Sequence, residues 1–261
     1  MSYYLNRGQT TPPIFVSQNF LTSSETIQRL VGLTDLCGDD HVIEIGPGKG
    51  HITEVLARTC GRVTAVELDP AMCAKTAKRT AGFRNVTLVN QDFLTWRLPN
   101  WGAYKVFSNI PFCITTQIIR KISETANPPR DAWLVMEKAA ARRFAGIPRE
   151  SLRSLLLKPN YDVQVVCLLE RDDFHPRPSV DVVLFHMHNK EQPDILPKHW
   201  PSYERFVTMG MTDASGLFRR VFTKKQLSIA LKQAGMRTLP ASGDMRYAQW
   251  LCLFRNYLVL R

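Results

Sequence analysis

Between residues 41 and 136 the chain repeats one pattern: a short β-branched run, a turn, then a stretch with helical spacing. The runs fall at 41–45, 62–67, 86–90, 105–108 and 132–136, and the helical candidates include 52–59, 71–80 and 115–122. Strands that alternate with helices pair in parallel, because each crossover needs a helix, and the resulting sheet is covered on both faces. The pattern then changes. Two runs at 163–169 and 180–188 are separated by the turn Phe174-His175-Pro176-Arg177-Pro178, which is too short for a parallel crossover, so they pair antiparallel. After Pro193 strand-like runs vanish and helical spacing takes over at 203–209, 224–234 and 245–258. Ahead of the first run, Thr22 or Ser23 can cap a helix carrying Ile27, Leu30, Val31 and Leu33 and ending near Cys37-Gly38. The expectation is an α/β chain with a mainly parallel sheet in residues 1–190, a linker near 189–193 and a small helical domain in residues 191–261.

Charge separates the two parts further. With 261 residues, 44% of them hydrophobic, the chain can bury a full core, and disorder is excluded as the default. Lys and Arg number 34 against 23 acids, a formal charge of +11, and residues 193–261 hold eleven of the bases and four of the acids. Such an excess suits a polyanionic partner, and the tail is the better candidate for touching phosphates. The six cysteines are scattered with no C-x-x-C pair, so neither a zinc site nor a disulfide framework is indicated, and the histidines show no metal spacing. Residues 1–13 are polar and unlike a signal peptide, and no uncharged apolar stretch is long enough to span a bilayer. A reduced, cytoplasmic protein without a membrane partner is expected.

Three ligand-facing signals end three successive strands. The first run leads into Gly46-Pro47-Gly48-Lys49-Gly50 and then a helix, a place where glycines let the backbone approach a ligand. Position 51 is His, so the last glycine of the dinucleotide fingerprint is missing, which argues against NAD. Gly50 also stands where a phosphate-binding loop would need Ser or Thr after Lys49, which argues against a triphosphatase. The second run ends on Glu67, where an acid can accept hydrogen bonds from both hydroxyls of a ribose. Past the third, Asp92 can accept a bond from an adenine amine while Phe93 covers the ring. Singly, these read as a turn, a solvated strand end and a helix cap; in register they describe a nucleoside site.

The fourth run ends in Asn109-Ile110-Pro111-Phe112. An exocyclic adenine amine is a poor nucleophile because its lone pair is delocalised into the ring. Acceptors on both N–H bonds draw the nitrogen toward a tetrahedral shape and release that pair. Asn109 offers a side-chain carbonyl, the turn at Pro111 can aim the carbonyl of Ile110 or Pro111 at the same amine, and Phe112 can stack on the base. A cationic reaction centre over that ring gains on the order of one or two kcal/mol when desolvated. Alone, the tetrapeptide could be a mere proline turn.

Taken together, Ser17-Gln18-Asn19-Phe20-Leu21, Glu44 to His51, Glu67-Leu68-Asp69, Gln91-Asp92, Asn109 to Phe112 and Thr115-Thr116-Gln117-Ile118-Ile119 resemble the ribosomal RNA adenine-N6 dimethyltransferases, and most closely their Erm branch. The resemblance covers nearly the whole chain. It implies a Rossmann-like, seven-stranded methyltransferase sheet with a small C-terminal helical domain, and a monomeric chain that uses S-adenosyl-L-methionine. The implied reaction is methylation of one adenine of large-subunit ribosomal RNA before ribosome assembly, conferring resistance to macrolides, lincosamides and streptogramin B. Gln18, Asn19 and Leu21 would touch the methionine part of the cofactor, Gly46 and Gly48 would lie under it, Glu67 would meet the ribose and Asp92 the adenine. Phe174 would be a second aromatic near the target base, unless it is a core phenylalanine. Arg142 and Arg143 could meet RNA near the pocket, with a solvated helix face as the plainer reading, and Arg219, Arg220, Lys224 and Lys225 would contact RNA in the tail. Two alternatives stay open: the housekeeping enzyme of small-subunit ribosomal RNA, and a nucleic-acid-binding factor built on a retired methyltransferase.

Overall fold

The computed structural model describes residues 19–260; Gln18 lies outside them. The chain runs through β1 (Phe20–Leu21), α1 (Ser24–Gly32), β2 (His41–Ile45), α2 (His51–Thr59), β3 (Arg62–Glu67), α3 (Pro70–Arg79) and β4 (Val86–Asn90). It continues through β5 (Lys105–Asn109), α4 (Thr115–Ser123), β6 (Asp131–Glu137), α5 (Lys138–Ala145), α6 (Leu152–Leu157), β7 (Tyr161–Leu169), β8 (Phe174–His175) and β9 (Val182–Asn189). Helices α7 (Trp200–Thr212), α8 (Ala214–Val221), α9 (Lys224–Gln233) and α10 (Tyr247–Val259) complete it.

Seven strands form one sheet in the order β4-β3-β2-β5-β6-β9-β7. Only β9 runs antiparallel to the other six strands. The chain winds outward from β2 to β4 and then returns to the other side of β2 at β5, so the winding reverses between β2 and β5. Ligands of open α/β sheets bind at such a reversal, beyond the carboxyl ends of the strands. Here β2 and β5 pair only at Val42↔Lys105 and Ile43↔Val106. Further up, the Ser108 hydroxyl donates to Ile45 O at 2.5 Å in place of a ladder bond. The strands therefore part where β2 delivers the glycine turn and β5 delivers Asn109.

Strand periodicity divides the core. Ile43, Ile45, Val106 and Leu134 face one layer of helices, and Val42, Val63, Phe107 and Trp133 face the other. At the end of β6 remote from the parted strands, His186 and His188 both bond Asp131 at 2.8 Å. A third core, beyond the sheet, gathers Tyr203, Phe206, Phe218, Trp250 and Phe254 with Leu155 of α6. Gly210 makes room for it: a Cβ there would stand 2.5 Å from the Trp250 ring. A polar seam ties this core to the sheet. Tyr247 donates its N–H to Glu150 at 3.1 Å and its hydroxyl to Asp194 at 2.8 Å, and Lys190 donates to Asp194 at 2.6 Å.

Three expectations change. Helix α1 is capped by the Ser23 side chain but ends at Gly32, not near Cys37. Thr34 stops it, donating its hydroxyl to Val31 O and accepting from the Leu36 N–H. Helix α8 was not anticipated; Asp213 caps it by accepting the Gly216 N–H. The turn after β7 holds the two-residue strand β8, which pairs antiparallel with β1, Leu21 opposite Phe174 and Phe20 opposite His175.

Candidate active site

The glycine turn leaves β2 with Gly46, Gly48 and Gly50 all at positive φ, between 59° and 77°. L-residues rarely adopt this backbone. At Gly48 an added Cβ would also meet the Phe20 ring at 2.5 Å. Thr76 of α3, fully buried, donates its hydroxyl to Gly48 O at 2.9 Å and holds the turn from below.

Glu67 is not a solvated strand end; it is 2% exposed. Its Oε2 accepts the Gly48 N–H and its Oε1 the Asp69 N–H, each at 2.9 Å. Each carboxylate oxygen can accept a second bond, so a vicinal diol would find two oriented acceptors. Asp92 accepts the Leu94 N–H on Oδ1 at 2.8 Å, and its Oδ2 takes no hydrogen bond among the described residues. Phe93 does not lie open over a ligand. Its side chain turns inward and is 5% exposed, within the core that includes Ile118 and Ile122.

Asn109 ends β5. Its amide donates to Asn19 O at 2.7 Å, which fixes the side chain and binds the turn to the segment leading into β1. The amide oxygen is buried and has no partner among the described residues. An unmet buried acceptor costs roughly 1–3 kcal/mol, and a donor brought to it would offset that. Around it lie Asn19, Phe20, Gly46, Ile110, Pro111 and Phe112. The backbone carbonyls sort themselves: Pro111 O accepts the Ile114 N–H, Phe112 O accepts the Thr115 hydroxyl, and Ile110 O takes no hydrogen bond among the described residues. Asn109 Oδ1 and Ile110 O are thus the two acceptors left to the turn. Phe112 is half-buried and packs on the core that also holds Phe174. The Phe174 ring is itself 4% exposed, a wall rather than an open face.

Sequence reading placed Glu44 in the glycine motif but gave it no role of its own. It is 1% exposed, and its Oε2 has no hydrogen-bond partner among the described residues. Burial pushes its carboxyl up to about 8; the nearby Thr53 hydroxyl opposes this and the Glu67 charge adds to it. An acid inside a β-branched run was the available signal. It borders the same opening as Gly46, Lys49 and Asn109, where a carboxylate would suit an ammonium.

The basic residues lie elsewhere. Arg142 and Arg143 are exposed on α5, Arg219 and Arg220 at the end of α8, and Lys224 and Lys225 in the first turn of α9. None pairs with an acid among the described residues. Two lysines in the first turn of α9 oppose its dipole, a placement that helix stability does not explain. A cleft of about 770 Å³ opens between α4, α6 and α7, from Thr116 to Trp200.

The family model for ribosomal RNA adenine dimethylases matches residues 13–257. The chain is 34% identical to an Escherichia coli rRNA adenine N-6-methyltransferase over 243 residues, 93% of this chain and 95% of the relative. It is 35% identical to a Limosilactobacillus reuteri protein of the same name, over 92% of this chain and 95% of the relative. Among solved structures, the 23S rRNA methyltransferase ErmE superposes with a TM-score of 0.84 at 29% identity, over 91% of this chain and 99% of that one. A dimethyladenosine transferase from Plasmodium falciparum gives 0.72 at 20% identity, over 92% and 98%, a likeness of fold.

Proposed function

The chain belongs to the ribosomal RNA adenine dimethylase family, in its Erm branch, and on that premise we propose that it methylates the N6 amine of one adenine of large-subunit ribosomal RNA. It is an S-adenosylmethionine-dependent rRNA adenine N6-methyltransferase. The large-subunit target is favoured over the small-subunit alternative by ErmE, a 23S rRNA methyltransferase alike in sequence as well as in fold. Methylation there would confer macrolide, lincosamide and streptogramin B resistance, in the cytoplasm and on RNA not yet assembled into ribosomes.

The buried, unpartnered oxygen of Asn109 is the observation that carries the reading. With Ile110 O it can accept both N–H bonds of an adenine amine and draw that nitrogen toward a tetrahedral shape. Phe112 stacks on the base, with Phe174 as the wall behind it. Fixed dipoles and close placement then supply the rate, without a strong base, because the methylated amine can release its proton to water. The residues present fit the donor: Glu67 suits its ribose, Asp92 its adenine, and Asn19 with the backbone near Leu21 its methionine end, over Gly46 and Gly48. Bound there, S-adenosylmethionine supplies an electrophilic methyl group.

We read residues 1–190 as the catalytic domain and 191–261 as the RNA-binding one, with α6 shared between them. RNA would meet the exposed Arg142 and Arg143 of α5 and, in the helical part, Arg219, Arg220, Lys224 and Lys225 through its phosphates. The test is labelled methyl transfer to deproteinised large-subunit RNA, to small-subunit RNA and to a small-subunit particle, with the modified base mapped by primer extension. One adenine of the large-subunit RNA should be marked. Label confined to the small-subunit particle would make the housekeeping reading correct, and RNA binding without any transfer would make the chain a retired enzyme.

A further inference from the structure

Helix α4 turns two neighbouring cations to opposite uses. Arg120 stays at the surface and pairs with Glu124, both side chains more than 60% exposed. Lys121 turns inward. Its ammonium donates to Leu94 O at 3.0 Å and to Trp96 O at 2.6 Å, and stands over the Phe93 ring, 5.5 Å from the centroid. Asp92 is the acid whose charge it feels, against a burial that lowers its own affinity for a proton. Yet the two form no ion pair among the described residues.

That arrangement is costly for a lysine, which loses hydration and rotamer freedom when it is turned under a loop. What it holds is the short turn that presents Asp92, closed by Asp92 O accepting the N–H groups of Thr95 and Trp96. Because the ammonium takes backbone carbonyls and makes no ion pair with Asp92, the Oδ2 of that carboxylate is left for a ligand. The first residue of α4, Thr115, bonds Phe112 O at 3.0 Å. One helix thus grips the Asn109–Phe112 turn at its start and the Asp92 turn from Lys121, about one and a half turns further on.

We infer that Lys121 is a positioning residue, which holds the Asp92 turn in place and so sets how tightly the adenine end of the cofactor is bound. The inference rests on Asp92 meeting the adenine of the cofactor. Lys121→Met keeps the stem and removes the donors. In that variant the Kd for S-adenosylmethionine and the Kd for 5′-methylthioadenosine, which lacks the methionine end, should rise together by about tenfold. At saturating cofactor kcat should stay within about threefold of wild type, and Lys121→Arg should recover most of the affinity. Should the Met variant fail to fold, Lys121→Gln, with a shorter amide donor, should show the same joint loss in smaller measure. Unchanged Kd values, a loss confined to kcat, or an Arg variant no better than Met would overturn the inference. Asp92→Ala separates the two layers. If it leaves both affinities intact, the adenine reading itself fails; if it weakens both while Lys121→Met weakens neither, only the role of Lys121 fails.

Discussion

Among the buried polar atoms with no partner in the described residues, Asn109 Oδ1 and Trp250 Nε1 sit in very different surroundings. The Trp250 ring is fully buried, crossed edge-on by Phe206 at 6.2 Å, flanked by Phe218 at 6.1 Å and pressed against Gly210. Its N–H is buried in that core and meets no hydrogen-bond partner among the described residues. The Asn109 oxygen borders an opening lined by the glycine turn and Phe112. An unmet polar atom signals chemistry only where a ligand can come to it; elsewhere it is a cost carried by packing.

Substitutions should separate the two regions. Trp250→Ala empties the helical core and should remove about 3–5 kcal/mol of stability in denaturant melts. The protein that remains folded should bind cofactor with wild-type affinity. Trp250→Phe deletes the unmet N–H along with part of the ring and should cost far less. A large loss of cofactor affinity in the folded Ala variant would show that the helical core shapes the strand-end site after all.

Glu44 gives the next largest effect, on the sheet side. Its folded pKa is raised from 4.5 to about 8, so the folded state keeps a proton that the unfolded chain has already lost. Stability should therefore fall as pH rises from about 4.5 to 8 and level off above. Glu44→Gln should remove that slope and be more stable than wild type at pH 8 by on the order of 1–3 kcal/mol. Thermal melts across that range check it, and parallel curves for the two proteins would mean that Glu44 is ionised in the fold.

The smallest effect belongs to the surface of the helical part. Neutralising Arg219, Arg220, Lys224 and Lys225 together should weaken RNA binding by about tenfold near physiological salt and make the slope of log K against log salt shallower by about 3. Turnover at saturating RNA should not change. A salt slope equal to wild type would remove this corner of α8 and α9 from the RNA surface.

The same contrast explains what could be read from the letters. The sheet was legible because each strand carries its own β-branched signal: 41–45, 62–67 and 86–90 coincide with β2, β3 and β4 residue for residue. The glycine turn, Glu67 and Asn109 stood out because ligand-facing residues end strands in register. Strands β1 and β8 were invisible, since two residues carry no period and exist as strands only through pairing across most of the chain. The burial of Phe93 was equally hidden, and that of Phe174 was one of two readings left open, because a phenylalanine next to a polar motif reads the same whether its ring faces a ligand or the core. Helix α8 escaped because its eight residues are about two turns, too short for helical spacing to stand out.

The most direct test of the account is Asn109→Ala, followed by single-turnover methyl transfer and by calorimetry of cofactor binding on the same preparation. The rate should fall on the order of a hundredfold, as for the loss of one oriented polar group in a transition state, with the cofactor Kd within about threefold of wild type. Equal losses in rate and in cofactor affinity would contradict it and make Asn109 a structural strut for the segment at Asn19.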